Sequence, residues 1–185
     1  MSILALFSHT GSSTRHFKCP ADLVDIKLGI DITKWHPTKR YKLIIAHPPC
    51  TYFTIAGARW WHTRPNDAEL YANALALVGE CFRIAIEAEA EGMIIENPRG
   101  RLGNVIKPTC CFNGTLFGDE WSKFSCYWCY GKAVLPPKVY GRKYKLRNKG
   151  TPVIDHMRSA ESRSHSFLCD NAWREIAAVN SWACD

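Results

Sequence analysis

Two short motifs place reactive side chains where chemistry would need them. Cys50 ends the run LIIAHPPC, and Glu96 ends the run MIIENPRG. Each is a short hydrophobic stretch that stops at a polar, proline-marked loop, the pattern of a strand buried on both faces of an α/β sheet. Ligands bind outside the ends of such strands. A thiol and a carboxylate on neighbouring strand ends suit covalent catalysis on a pyrimidine base. A thiolate adding at C6 turns C5 into an enamine-like nucleophile, and an acid near N3 and the exocyclic amine steadies the ring. Both groups must be held to a fraction of an ångström. Pro48 and Pro49 stiffen the approach to Cys50 and remove two backbone donors. Pro98 does the same after Glu96 and Asn97. Because Glu96 closes an apolar strand, partial burial is expected to raise its pKa toward that of a useful acid. Asn97 is placed to orient it, and Arg99 is a nearby electrostatic candidate.

The elements that position these residues follow from hydrophobic periodicity. Ile3 to Phe7 reads as a first strand, followed by the Gly/Ser turn SHTGSSTRHF, whose exposed amides suit an anionic or polar ligand. Ala21 to Ile26 reads as a short second strand with Asp25 near its end, where an acid can accept from a ribose. Tyr41 to Ala46 is a third strand. Asn66, with Glu69 three residues on, predicts a capping box and a helix to about Ala90 with Leu70, Ala74, Leu77, Val78, Cys81 and Ala85 on one face. That helix is the natural crossover to a parallel strand at Met93–Ile95. From Pro98 the pattern weakens into short strands or an irregular lobe. A final helix is expected over CDNAWREIAAVNSW, with Asp170 or Asn171 near its cap. The resulting expectation is an abbreviated catalytic core over 1–135, with a basic segment and C-terminal helix over 136–185 packed on the same domain.

A chain of 185 residues with 46% hydrophobic and 22% charged residues is globular, with room for one real core. No membrane span or secretory signal is legible, so the expectation is a soluble cytoplasmic protein, in the host cytoplasm if a phage encodes it. The net charge of +7 suits a polyanionic partner. It concentrates late, where Lys138, Arg142, Lys143, Lys145, Arg147 and Lys149 occur without an acid, as a solvated loop or a phosphate-contacting segment. Nine cysteines include adjacent Cys110 and Cys111 and a lone pair at Cys126 and Cys129. Adjacent cysteines do not make a zinc knuckle, so no metal is expected and the cysteines read as reduced and partly buried.

These motifs resemble those of the C5-cytosine DNA methyltransferases, most closely small, mostly phage-borne relatives. PPC at Pro48–Cys50 looks like the family's nucleophile motif, and ENP at Glu96–Pro98 like the motif whose Glu contacts the target base. LALFSHTGSSTRHF resembles its methyl-donor loop, with Phe7 and Gly11 in register and His9 in place of a glycine. The resemblance extends to IAHPPCTYFTIAGARW, then ENPRG, then Phe117 to Gly131 with Lys123 and Trp128. It implies an abbreviated, Rossmann-like, S-adenosylmethionine-dependent methyltransferase fold with a small irregular C-terminal lobe. It implies a donor site at Phe7, His9, Gly11, Asp25, Asp31 and Pro48, and DNA modification of the restriction–modification kind. DNA contacts would fall to Arg59, Lys123, Arg142, Lys143, Lys145, Arg147 and Arg163. The first strand and PPC are only about forty residues apart, shorter than is usual in the family, and no separate recognition domain is visible. Alternatives therefore stay open: pyrimidine modification of a free nucleotide, an inactive nucleic-acid-binding relative, an unrelated α/β protein with structural cysteines, or a partner protein that supplies donor binding or target recognition.

Overall fold

A computed structural model describes residues 2–118, 123–137 and 170–184. Within them the chain builds a six-stranded mixed sheet in the order β2-β1-β3-β4-β6-β5. The strands are β1 (Ile3–Leu6), β2 (Ala21–Val24), β3 (Leu43–Ala46), β4 (Gly92–Pro98), β5 (Cys110–Asn113) and β6 (Phe124–Gly131). β2, β1, β3 and β4 run parallel. β6 runs antiparallel between β4 and β5. The stretch read as short strands or an irregular lobe is thus two strands that extend the main sheet. Their aromatic and cysteine content masked a period-2 pattern, because both faces of β6 are covered near Glu96.

Successive residues on a strand point to opposite faces, and this sorts the core into two layers. Leu4, Leu6, Ile44, Ala46, Met93 and Ile95 face α1 (Asp67–Glu87), which buries Ala74, Val78, Cys81 and Ile84 against them. Ile3, Leu43, Ile45 and Ile94 face α3 (Asp170–Val179), which buries Ala172, Trp173, Ile176 and Ala177. A short α2 (Leu102–Val105) follows β4. Helices on both faces of a largely parallel sheet give the expected α/β architecture.

α1 departs from expectation at its start. Asn66 adopts a left-handed conformation (φ 61°) and its side chain caps nothing, so the capping box does not form. Asp67 instead turns inward to Arg101, with Oδ2 accepting from Nη2 at 2.8 Å. Two disulfides overturn the expectation of reduced cysteines. Cys19–Cys184 ties the segment before β2 to the end of the chain, and Cys111–Cys126 joins β5 to β6. The first pair lies 165 residues apart and is brought together by the docking of α3; the second lies 15 apart and is brought together by the β5–β6 register. No helix among the described residues is long and apolar enough to cross a membrane.

Candidate active site

The chain leaves β1 for β2 on one side and returns to β3 on the other. Such a reversal is where an open α/β sheet forms a crevice for ligands at the carboxyl ends of its strands, here those of β1 and β3. The β1 loop (Phe7 to Phe17) and the His47–Cys50 segment stand there. In the β1 loop, Gly11 takes φ 65° and its carbonyl accepts from the amides of Thr14 and Arg15, at 3.0 and 3.1 Å. A second turn follows, with the Phe17 amide donating to Thr14 O at 3.0 Å.

Cys50 is half-buried and outside both disulfides. Its carbonyl accepts from the amides of Phe53 (2.9 Å) and Thr54 (3.0 Å), so the chain turns immediately after the thiol. The next loop is fastened to the one beyond β4. Arg101 N–H donates to Phe53 O at 2.8 Å, and Thr54 bridges Gly100. Asn97, 1% exposed, donates from Nδ2 to Pro48 O at 2.7 Å. This bond locks the Cys50 and Glu96 strand ends together. Asn97 Oδ1 is buried without a hydrogen-bond partner among the described residues.

Glu96 is buried at the end of β4 in a charged network. Its Oε2 meets His47 Nδ1 at 3.1 Å, its Oε1 lies 3.4 Å from Lys123 Nζ, and the Ser125 hydroxyl also donates to Oε1. Burial pushes the carboxyl up, but the Lys123 charge, His47 and the Ser125 hydroxyl outweigh it and hold Glu96 far below the ordinary carboxylate range. This reverses the expected direction: the resting site holds a carboxylate. The reason is tertiary, since β6 delivers Ser125, and the residue just before β6 delivers Lys123, to a carboxylate 29 residues before Ser125 in sequence.

The other site residues separate. Lys123, expected on nucleic acid, is part of the Glu96 network. Arg99 is exposed just after the end of β4, and its carbonyl accepts from Ile55 N. Pro48 is buried and supplies its carbonyl to Asn97. Phe7 takes φ 55°, and its amide donates to Val24 O, which holds the β1 loop against β2. Asp25 accepts from Lys27 N through Oδ1 and lies 3.9 Å from His9 Nδ1 through Oδ2. The crevice thus gathers Phe7, His9, Gly11 and Asp25. Asp31 does not join them through its own bonds, since its carboxylate accepts from Thr33 and faces Lys34. Arg59 lies in the 3-10 helix Ile55–Trp60. Arg142, Lys143, Lys145, Arg147 and Arg163, with the rest of the basic segment, lie outside the described residues.

Sequence reasoning missed His47, Ser13, Ser125 and Trp173. His47 Nε2 meets Ser13 Oγ at 2.9 Å, and its ring stands edge-on to Trp173 at 5.3 Å. The signal was available in one case: a histidine directly before PPC ends the same strand as the thiol.

A cavity of about 690 Å³ lies away from these strand ends, lined by Trp61, Asp67, Tyr71, Arg101 and Asn104 among others. There the Arg101 guanidinium pairs with Asp67 and stacks on Trp61 (4.4 Å) and Tyr71 (4.8 Å). The Glu96 carboxylate, the His47 imidazole and the Lys123 ammonium meet instead at the strand ends.

No family model and no curated protein matches the chain. Among solved structures, it is similar to a prophage-encoded protein of E. coli assigned as a DNA modification methyltransferase, with 13% identity and a TM-score of 0.47. The match covers 70% of this chain and 46% of that one, so the chain spans less than half of that protein's length.

Proposed function

We propose that the chain transfers a methyl group from S-adenosylmethionine to C5 of cytosine in DNA through a covalent Cys50 adduct. The observation that carries this reading is the Asn97–Pro48 bond of 2.7 Å, which fixes the Cys50 loop against the Glu96 strand end. A nucleophile and a base-binding carboxylate then act on one ring held between adjacent parallel strands. The target base is extruded into the site, as chemistry on a base requires. Glu96 accepts from the exocyclic amine, and the buried, unpartnered Asn97 Oδ1 offers a second acceptor. Cys50 attacks C6.

The donor fits the crevice residues. Asp25 stands at the end of the second strand with Oδ2 turned toward the β1 loop, where a ribose hydroxyl would donate. Gly11 allows close backbone approach at φ 65°. When bound, the donor supplies an electrophilic methyl; Phe7, Gly11 and Asp25 hold it, and the Cys50–Glu96 pair readies the base. Asp31, committed to its own turn, favours the alternative of a relative that binds nucleic acid without methylating it. DNA contacts by the basic segment and Arg59 belong to this proposal.

The test is incubation with donor and cytosine-containing DNA, followed by nucleoside mass spectrometry. 5-Methylcytosine that disappears in C50S supports the reading. DNA binding without methylation or adduct supports the binding-only alternative.

A further inference from the structure

His47 meets Glu96 of β4 through one ring nitrogen and Ser13 of the β1 loop through the other, an arrangement that lets a proton pass. A carboxylate accepts about four hydrogen bonds. His47 takes one at Glu96 Oε2, while Ser125 and Lys123 occupy Oε1. The remaining acceptor position is therefore on Oε2, the oxygen that His47 holds. A base edge reaching Glu96 meets the atom already bonded to the imidazole.

The other ring nitrogen faces Ser13 Oγ at 2.9 Å. A hydroxyl can donate to a neutral ring nitrogen or, after rotating, accept from a protonated one. Ser13 is 1% exposed and sits in the β1 loop, so this switch is shielded from solvent. Histidine is the side chain that ordinarily changes charge near neutral pH. The charged groups facing it among the described residues are Glu96 from β4 and, across that carboxylate, Lys123 ahead of β6; α3 contributes only the Trp173 edge.

We propose that His47 is a proton-relay residue that delivers a proton through Glu96 Oε2 to N3 of the bound pyrimidine, with Ser13 adjusting its hydrogen bond to either charge state. The inference rests on the pyrimidine reading above and adds the source of the proton, because Glu96 rests ionised. The step balances. The Cys50 thiolate forms the C6–S bond, the C5–C6 π pair moves to C4–C5, and the C4–N3 π pair takes a proton at N3. His47 Nδ1 passes its proton to the Glu96 carboxylate, which passes it on to N3 and ends ionised, as it began. Thiolate and imidazolium charges cancel, leaving a neutral enamine and a neutral imidazole. Expulsion of the Cys50 thiolate breaks the C6–S bond and returns the N3 proton to His47 by the same route. His47 acts through Glu96 and touches no reacting atom.

Exchange of the cytosine C5 hydrogen with solvent, measured on a cytosine oligonucleotide without any methyl donor, reads adduct formation alone. The wild type should exchange. H47A should lose about a hundredfold in rate and regain it on addition of imidazole. S13A should show a smaller loss that imidazole leaves unchanged. Circular dichroism and thermal melting of H47A against wild type check that the fold survives. Exchange in H47A equal to wild type, or a lost rate that imidazole does not restore in a folded variant, overturns the relay and leaves the pyrimidine reading standing. A wild type that neither exchanges nor forms an adduct overturns both.

Discussion

Gly100 is where the backbone of the Cys50 loop comes closest to the chain beyond Glu96. A Cβ at this position would lie 1.7 Å from Phe53 O and 2.6 Å from its carbonyl carbon. Non-bonded heavy atoms settle at about 3.5 Å or more, so Gly100→Ala forces the two segments apart by roughly 2 Å. Two bonds cross this contact, Arg101 N–H to Phe53 O at 2.8 Å and Ile55 N–H to Arg99 O at 3.3 Å. Losing both costs about 1–3 kcal/mol, and overpacking adds about 1–3 kcal/mol. At ~2–4 °C per kcal/mol for a chain of this size, the Tm should fall by roughly 5–20 °C. Cys50 lies three residues before Phe53, so its placement should suffer too; a misplacement of ~1 Å costs about a hundredfold in rate. The assays are thermal melting and C5-hydrogen exchange, with G131A as the comparison. That substitution places a Cβ 2.2 Å from Glu91 O at φ 62°, at the far end of β4, and should destabilise without a separate effect on Cys50. A G100A protein that melts within about 2 °C of wild type and exchanges at the wild-type rate would refute the reasoning.

Other consequences are equally open to measurement. Glu96 is held below its unfolded pKa of about 4.3, so its contribution is complete above that pH and is lost as pH falls toward the folded value. Urea unfolding from pH 7 to pH 3 should therefore show a flatter acid limb in E96Q and a shallower one in K123M, because losing the Lys123 charge brings the folded value closer to the unfolded one. Burial pushes the Cys81 and Cys129 thiols up to about 12, so neither should react with a thiol reagent at neutral pH, and C50S should remove reactivity that C81S leaves in place. The Cys19–Cys184 bridge spans 165 residues, for which the chain-entropy account gives about 5 kcal/mol; C184S should melt lower than wild type under oxidising conditions and equally under reducing ones.

The strands and the crossover helix were legible because their signals are local. LIIA and MII read as strands buried on both faces, and the apolar spacing of α1 identified its inward side. Proline-marked loops after two such strands sufficed to name Cys50 and Glu96 as neighbours. The charge state of Glu96 was not legible. An apolar strand predicts a raised pKa, but the outcome depends on an antiparallel β6 carrying Ser125, and Lys123 just before it, to the same carboxylate. The same holds for Asn66, whose capping pattern is correct on paper but yields to the Asp67–Arg101 pair. Sequence patterning thus determined which residues end which strands, because period and burial are properties of neighbouring residues. Only the tertiary structure decided the partners of His47, Glu96 and the bridged cysteines, because hydrogen bonds and ion pairs act over a few ångströms between segments that only the folded sheet brings together.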